Sequence, residues 1–490
     1  MSSRFRNIIR VQGAMLLVLA ASMFVPMFMA LHLGESEAQQ AFATVIACCL
    51  FVGIVIRFCI SPIQAKKLKL RDGFLLVSLT WLLCSLVGAL PFCLSGAIPS
   101  AIDAFFESCS GFSTTGASVL VDIEALPRSI LFWRSFTNWL GGMGVVIFLI
   151  PLLPVDDANA QLASHTESTI LSSDRQSAVF SNTVKRLYLI YLLLTLLETL
   201  LLKLGGMSFY DALIHSFGTV STGGFSNYND SIAHFDSPYI RIVIIVFMLL
   251  SGLNFTLFFL ARRRGITAVL RDEETRFYFS VIAVTAVSIF AVNQVFSRFS
   301  DMGNSLLDSI FQVSSIITTT GYTTIDYNLW PTFSKMVLLC LFLLGGCSSS
   351  ASSGIKCART LVCLKLVRRS VSLRLHPNRI VPLTLNDAEL PTEVIIRITN
   401  FIFTYAVTVF AGTLLISAGG LDFITCLSAA MSCTANIGSG FNLVGPACNF
   451  AVFSSFSKLV CSFLMLAGRL EPVTVLALFS KYYWKPNKAN

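Results

Sequence analysis

Four stretches of the chain share one pattern: DAFFESCSGFSTTGAS (residues 103–118), DALIHSFGTVSTGGFS (211–226), DSIFQVSSIITTTGYT (308–323) and TCLSAAMSCTANIGSG (425–440). In each, an Asp or a Thr stands 13 residues before a glycine, which is Gly116, Gly224, Gly321 or Gly438. Asp and Thr both favour the N-cap of a helix. Each stretch therefore predicts a short capped helix followed by a polar turn, and the constant offset indicates an internal repeat.

The composition around these stretches is typical of an integral membrane protein. Of 490 residues, 55% are hydrophobic and only 12% are charged, and the mean hydropathy is +0.75. A soluble domain carries about 25% charged residues. Spanning helices need about 20 mostly apolar residues. Runs of that length predict ten spans, at 11–33, 41–60, 73–95, 129–153, 185–204, 238–260, 277–297, 333–365, 394–417 and 450–480.

The basic residues predict the topology. With ten spans, the Lys- and Arg-bearing segments 4–10, 66–71, 185–186, 262–276, 365–379 and 481–488 all fall on one side. The positive-inside rule makes that side cytoplasmic and places both termini there. The net charge of +9 is thereby explained, so no nucleic-acid partner is expected. The first apolar run is too long for the core of a signal peptide and is interpreted as a retained helix.

Each repeated stretch lies between two predicted spans. A polar turn survives at membrane depth only where protein surrounds it or where it lines a water-filled cavity, so four of them predict hairpins that meet at one axis. The fold class is an all-α polytopic membrane protein. Its predicted parts are an N-terminal two-helix extension at 1–70 and repeats at 71–155, 184–262, 276–368 and 391–482.

The turns have the composition of a cation filter. Backbone carbonyl oxygens replace the water around an ion in such filters, and glycine permits the angles that point successive carbonyls the same way. One Thr-Thr-Gly run alone would indicate a turn or a helix C-cap; four at a constant offset predict a filter. The candidate cation-binding residues are Thr114, Thr115, Gly116, Ser221, Thr222, Gly223, Gly224, Thr319, Thr320, Gly321, Ala435, Asn436, Ile437 and Gly438.

Longer motifs resemble those of Trk-type potassium uptake subunits, in the Trk/Ktr/HKT superfamily: SGFSTTGAS (110–118), LPRSILFWRSFTNWLGGMGVV (126–146), HSFGTVSTGGFS (215–226), LLGGCSSSASSGIK (343–356) and GRLEPVTVLALF (468–479). The resemblance implies four M1–pore helix–M2 units in a pseudo-fourfold arrangement, in a homodimer embedded in the lipid of a bacterial inner membrane. Glycine at the filter position of all four repeats implies that the transported cation is potassium.

The resemblance also implies a gate and a regulator. The small residues from Gly345 to Lys356 would form an intramembrane loop, or alternatively a close helix contact, and Arg469 would stand below the filter, or alternatively pair with Glu471. The gate candidates are Gly345, Gly346, Gly354, Lys356 and Arg469. The chain has no nucleotide-binding motif, so control would come from a cytosolic nucleotide-binding subunit of the TrkA type. The basic loops could dock it, although topology explains their charge equally well.

The sequence leaves open the role of one pore-helix position and the mode of transport. Glu107, His215 and Gln312 share one position in the first three repeats, where they could support the filter from behind or lie near its entrance; the fourth repeat has Ala429. Passive or gated potassium conduction is the main hypothesis. A transporter coupled to protons or sodium would place a carboxylate in the path, whereas the acidic residues, Glu198 among them, are expected at caps or helix ends. No enzyme motif is present.

Overall fold

The computed structural model describes residues 3–60, 70–144, 177–296, 302–386 and 388–484. Helices dominate this part of the chain, which confirms the predicted fold class. The strands within it are β1 (Thr384–Leu385) and β2 (Ala388–Glu389), which pair antiparallel. The two-helix extension consists of α1 (Ser3–Leu33) and α2 (Ser36–Cys59), joined by a turn at Gly34.

The four repeats follow one order of helices. The first helix of each is named the outer helix, the second the pore helix and the third the inner helix. Repeat 1 comprises α3 (Leu70–Leu94), α4 (Ala101–Phe112) and α5 (Arg128–Gly142). Repeat 2 comprises α6 (Ser177–Leu204), α7 (Phe209–Val220), α8 (Pro238–Ser251) and the additional α9 (Phe255–Arg264), after which comes α10 (Ile266–Arg271).

The second half of the chain repeats this order. Repeat 3 comprises α11 (Glu273–Phe296), α12 (Met302–Ile317), α13 (Thr332–Leu341) and the additional α14 (Cys357–Leu375). Repeat 4 comprises α15 (Thr392–Ser417), α16 (Phe423–Ala435), α17 (Ser455–Leu470) and the additional α18 (Pro472–Phe479), after which comes α19 (Lys481–Trp484).

Within the described residues, six helices are long and apolar enough to cross a membrane, and two bent pairs raise the number to eight if each pair is one span. The spans predicted at 238–260 and 450–480 are each broken by a sharp bend, because α8 and α9 meet at 91° and α17 and α18 at 110°. Asn254 caps α9 by accepting the Thr256 N–H at 3.0 Å, and Glu471 has a φ of 65° directly before Pro472.

Two other predicted spans are not single described helices. The span at 333–365 is divided into α13 and α14 by the loop from Phe342 to Lys356. The span at 129–153 begins as α5, and its continuation beyond residue 144 lies outside the described residues. Glu198 was expected near a helix end, but it lies inside α6 and is fully buried.

The pore helices begin three residues earlier than predicted. Ser100, Ser208 and Asp422 are the N-caps of α4, α7 and α16, and their side chains accept the backbone N–H of Asp103 (3.4 Å), Asp211 (3.0 Å) and Thr425 (3.1 Å). The residues predicted as caps are thus the third residue of each helix, where an N–H needs such an acceptor. Hydrogen bonds from Thr425 hold the pKa of Asp422 below its ordinary value.

The third pore helix departs from the others. It begins at Met302, so Asp308 lies in its second turn rather than at its cap. The pore helices are buried, whereas the outer helices expose large apolar side chains; on α6, Leu192, Leu196 and Leu200 are 44%, 56% and 56% exposed. A stripe of this kind on a long helix is suited to contact with lipid tails.

Candidate cation filter and the loop beneath it

Each pore helix ends in a turn of the same conformation. The turn has two left-handed residues, one apart: Thr114 and Gly116, Thr222 and Gly224, Thr319 and Gly321, Asn436 and Gly438. The first of each pair has a φ of 54–57° and the glycine a φ of 70–97°. Because left- and right-handed residues alternate, successive carbonyl groups point to the same side of the backbone.

One backbone hydrogen bond closes each turn. The residue between the two left-handed positions donates its N–H to the carbonyl five residues earlier: Thr115 to Ser110 (2.9 Å), Gly223 to Gly218 (2.8 Å), Thr320 to Ser315 (2.8 Å) and Ile437 to Ser432 (2.9 Å). The C-terminal end of each pore helix, where carbonyls carry partial negative charge, therefore continues directly into the turn.

The four turns meet in a closed ring. A Cβ atom built at Gly116 would overlap the carbonyl oxygen of Gly223 in the second repeat. The same holds from Gly224 to Thr320, from Gly321 to Ile437 and from Gly438 back to Thr115. The glycine of each turn therefore packs against the equivalent carbonyl of the next turn, in the order 1-2-3-4-1. Only a residue without a side chain fits at these four contacts.

A side-chain hydrogen bond connects the fourth turn to the first. The Asn436 amide nitrogen donates to the Thr115 hydroxyl at 2.8 Å and to the Met465 carbonyl at 3.0 Å. In the third turn, the hydroxyls of Thr318 and Thr320 lie 2.8 Å apart. Asparagine tolerates the left-handed conformation better than most residues, so Asn436 fills the backbone role that Thr has in the other repeats and adds a contact across the ring.

A buried ion pair supports the ring from behind. The Glu107 carboxylate accepts hydrogen bonds from the Arg134 guanidinium (2.5 Å), the Ser118 hydroxyl (2.9 Å) and the Val119 N–H (3.0 Å). Arg134 also donates to the Ser226 carbonyl at 2.7 Å. Glu107 therefore holds the chain that leaves the first turn, and Arg134 joins repeat 1 to repeat 2.

The equivalent positions in the other repeats differ. The two ring nitrogens of His215 lie 2.8 Å from the Asp211 carbonyl and 3.0 Å from the Ser226 hydroxyl. Gln312 is fully buried, and its amide has no hydrogen-bond partner within the described residues. Ala429 is buried and apolar. These residues lie behind the turns, so the contacts favour the supporting role over a place at the entrance.

The segment from Gly345 to Lys356 forms a loop whose two ends lie side by side. The Gly345 N–H donates to the Ile355 carbonyl at 2.5 Å, and the Cys357 N–H donates to the Gly346 carbonyl at 3.0 Å. The Lys356 ammonium donates back into the loop, to the Ser352 carbonyl at 2.5 Å. Gly354 has a φ of 71°, which permits the reversal of the chain at the end of the loop.

Arg469 binds this loop. Its guanidinium donates to the Ala351 carbonyl at 3.0 Å and the Ser353 hydroxyl at 3.2 Å on one side, and to the carbonyls of Gly141 and Gly142 at 2.8 and 3.0 Å on the other. The sequence also left open a pair between Arg469 and Glu471 or another helix, and the bonds to Gly141 and Gly142 do join Arg469 to another helix. The Glu471 carboxylate forms an ion pair with Arg359, which is on α14 directly after the loop, at 2.5 Å.

The loop also contacts repeats 2 and 3. The Ser353 N–H donates to the hydroxyl of Thr319, a residue of the third turn, at 2.9 Å. The Cys347 N–H donates to the Gly252 carbonyl at 2.8 Å. The loop, which belongs to repeat 3, thus contacts repeat 2 at Gly252 and repeat 4 at Arg469, and Arg469 links it to the Gly141 carbonyl of repeat 1.

Glu274 is a contact of the loop that the sequence analysis missed. This carboxylate of α11 is 6% exposed and accepts the N–H of Ser348 at 2.6 Å and the N–H of Ala358, in the first turn of α14, at 3.0 Å. It therefore caps α14 from another helix and also fixes the start of the loop. No local signal could have found it, because its partners are 74 and 84 residues away in the chain.

A second feature was missed although the sequence contains a signal for it. All four inner helices end near a pair of small residues, Gly141-Gly142, Ser251-Gly252, Gly345-Gly346 and Ala467-Gly468, each preceded by Leu. A Cβ at Gly141 would overlap the Phe112 carbonyl, and one at Gly468 would overlap the Thr434 carbonyl. The small residues thus let the inner helices of repeats 1 and 4 pass the end of a pore helix, and in repeat 3 Gly345 packs against the Ser353 carbonyl of the loop.

The fold and this site define a class: a helical membrane protein in which four re-entrant turns surround one axis. Residues 38–487 match the family described as TrkH, cation transport protein, and the chain belongs to that family. This is a class of transport proteins rather than of enzymes.

Solved and characterised relatives are similar along nearly the whole chain. The Trk system potassium uptake protein TrkH of Salmonella typhimurium is 35% identical over 486 residues, 98% of this chain and 99% of that protein. TrkG of Escherichia coli is 32% identical over 498 residues, 99% of each chain. The crystal structure of the potassium transporter TrkH from Vibrio parahaemolyticus has a TM-score of 0.89 at 33% identity and covers 98% of this chain and 100% of that one.

Proposed function

We propose that this chain takes up potassium ions across a bacterial inner membrane through the ring of four turns. The observation that carries the proposal is the closure of the ring, in which the four glycines pack against four equivalent carbonyls. Carbonyl oxygens that converge on one axis can replace the water around a cation. The relatives named as potassium uptake proteins supply the identity of the ion.

The ion would be held by the backbone of the predicted filter residues. In each turn the carbonyls of the two left-handed residues and of the residue between them would face the axis, as in Thr114, Thr115 and Gly116 of repeat 1; the left-handed φ of the first and third residues supports this. Glycine at all four ring positions favours potassium over sodium, as the resemblance implies. No side-chain carboxylate is needed in the path, because the carbonyl dipoles and the pore-helix ends supply the negative potential.

The loop from Gly345 to Lys356 would be the gate. The loop bonds to Thr319 of the third turn and to Gly252 of repeat 2, and Arg469 ties it to repeats 1 and 4. A segment held in this way beneath the ring would lie across the shared axis, so an ion that leaves the ring would meet it. Arg469 would hold the loop in place through its four hydrogen bonds and would also repel cations. Opening requires the loop to leave these donors and acceptors together, and Gly345, Gly346 and Gly354 are the points at which its backbone could move.

Assembly and regulation complete the proposal. Both termini and the loop would face the cytoplasm, two copies of the chain would form a homodimer with one pore each, and a cytosolic nucleotide-binding subunit of the TrkA type would open the gate. Such a subunit would bind α14 and thereby move the loop, since α14 begins directly after the loop and carries the exposed Arg368 and Arg374.

Rubidium uptake into proteoliposomes tests the filter. In Gly116→Ser the new side chain would press on the Gly223 carbonyl, and we expect the preference for potassium over sodium to fall. Gly96→Ser is the matched control, because Gly96 has a φ of 70° and open space around it. An unchanged preference in Gly116→Ser would contradict the assignment of the filter.

A coupled transporter is the second candidate, and Glu198 is the observation that favours it. This carboxylate is fully buried inside α6, and an ionisable group within a membrane segment is often functional. A proton gradient imposed on the liposomes distinguishes the two. Conduction predicts that the gradient leaves rubidium flux unchanged in wild type and in Glu198→Gln, whereas coupling predicts a dependence that the substitution removes.

A further inference from the structure

A groove lies between the outer helix of repeat 2 and the helix α9 that follows its inner helix. It encloses a cavity of about 590 Å³. The groove combines two arginines with an apolar wall, and its lining consists of Arg186, Leu189, Ile190, Leu193, Phe258, Phe259 and Arg262. None of these residues takes part in the filter or the gate described above.

The charge and the apolar surface are arranged along the groove. Arg186 lies near the basic end of the span Lys185–Leu204, and Leu193 is two turns further along the same helix, about 10 Å away. Leu189 and Leu193 are 56% and 49% exposed, so the groove is open to its surroundings along α6. Because α9 meets α8 at 91°, it runs across the direction of α8, and its Arg262 lines the groove together with Arg186.

We propose that this groove binds one anionic phospholipid, with its phosphate between Arg186 and Arg262 and an acyl chain along Leu189 and Leu193. Guanidinium groups bind phosphate oxygens with strong, charge-assisted hydrogen bonds, and basic pockets between helices at the cytoplasmic side are suited to lipid headgroups. Within the described residues neither arginine forms an ion pair, so both charges are available to a ligand.

The arginines and the apolar wall of the groove together favour an anionic phospholipid over free phosphate or a lipid without net charge. A soluble phosphate would use the arginines but leave the leucines and phenylalanines without a partner. A zwitterionic lipid would cover the apolar wall and offer a phosphate, but its own headgroup cation would cancel that charge and weaken the attraction to two guanidinium groups. A phospholipid with a net negative headgroup satisfies both, which is why charge complementarity favours it over either alternative.

The position of the groove couples it to the loop beneath the filter. The Phe255 N–H, at the start of α9, donates to the Ser349 carbonyl of the loop at 3.3 Å, and the Ala351 N–H donates to the Ser251 carbonyl at the end of α8 at 3.3 Å. A lipid held against α9 therefore presses on the helix that anchors one side of the loop. This consequence rests on the proposed gate, whereas the binding itself does not.

Native mass spectrometry of the purified full chain tests the binding. The probes are dioleoyl phosphatidylglycerol and dioleoyl phosphatidylcholine, which share acyl chains and differ in headgroup charge. We expect preferential retention of phosphatidylglycerol. Arg186→Gln with Arg262→Gln should lower its affinity about 30-fold, since each basic side chain near a membrane surface contributes about fivefold. Arg271→Gln with Arg368→Gln is the matched control, because both arginines are exposed and lie outside the groove.

Further measurements separate the lipid from other occupants. Leu193→Trp, which fills the apolar part and leaves the charge intact, should also lower retention, and millimolar inorganic phosphate should not compete. Three results would each overturn the proposal. The first is equal retention of the two lipids, and the second is displacement of the bound lipid by inorganic phosphate. The third is that the double variant loses the dimer but keeps the lipid. These readouts do not depend on transport, so they remain valid whatever the filter test shows.

Discussion

The ring of four turns and the loop beneath it are built in opposite ways. The ring repeats one local conformation four times, and each glycine occupies the same contact with its neighbour. Among the repeats as far as the structure describes them, the loop from Gly345 to Lys356 occurs in the third alone, and it is held by polar contacts to Thr319, Gly252, Glu274 and Arg469. The ring has backbone contacts with no room to relax, whereas the loop is held by hydrogen bonds, most of which involve a side chain of another helix.

This difference assigns different physical tasks to the two regions. Close backbone packing resists small displacements, which a filter needs in order to hold its carbonyls in place. Hydrogen bonds each contribute only about 1–3 kcal/mol, so a loop held by several of them can be released by a partner that replaces some. The substitutions below test whether the ring fails by steric overlap and the loop by loss of hydrogen bonds.

The largest effect is expected from Gly321→Ala. Its Cβ would overlap the Ile437 carbonyl, so the carbonyl must move, and a displacement of about 1 Å in an ordered site can cost about 100-fold in rate. Rubidium flux should fall by about that factor. Gly420→Ala is the control, since Gly420 has a φ of 78° against 81° for Gly321 but open space around it. Equal loss in both would mean that backbone strain, not contact across the ring, is responsible.

A smaller effect of opposite sign is expected from Arg469→Gln. The substitution removes donors to the carbonyls of Ala351, Gly141 and Gly142. Charge-assisted bonds of this kind contribute about 2 kcal/mol, so flux in the absence of a regulatory subunit should rise about 30-fold. Arg368→Gln, an exposed arginine on α14, should leave it unchanged. Reduced flux in Arg469→Gln would show that the arginine supports the pore and does not hold the loop closed.

A further, weaker increase is expected from Glu274→Gln. The N–H groups of Ser348 and Ala358 both donate to Oε1, which the amide retains as an acceptor. The negative charge at the N-terminus of α14 is lost, a change of about 1 kcal/mol. Basal rubidium flux should rise about fivefold. Glu389→Gln, which changes an exposed carboxylate, serves as the control. If both variants behave like wild type, the loop does not depend on α11.

The smallest effect is expected from Lys458→Gln. Its ammonium pairs with the Asp103 carboxylate at 2.7 Å, and the two side chains are 10% and 27% exposed. Partly exposed pairs contribute about 0.5–1 kcal/mol, so the thermal midpoint in detergent should fall by a few degrees while rubidium flux stays within about twofold of wild type. A change in ion preference would place this ion pair in the filter rather than at its outer support.

The sequence predicted most features of the four turns but few of the contacts that hold the loop. Glycine at a constant offset predicted four equivalent turns, because glycine is the residue that a left-handed backbone requires. The caps were misplaced by three residues, since Asp103 and Ser100 are both cap-forming residue types and only the structure shows which one accepts the N–H. The bends after Ser251 and Leu470 were missed because apolar residues continue on both sides of each break.

By itself the sequence determined the membrane class, the number of repeats and the local conformation of each turn, because hydropathy, offset and the steric freedom of glycine act over a few residues. Only the tertiary structure decided that Gly438 packs against Thr115 to close the ring, that Arg469 holds Ala351, and that Glu274 caps α14. These contacts join residues 84 to more than 300 positions apart. Their geometry arises from packing of whole helices, and no local pattern encodes it.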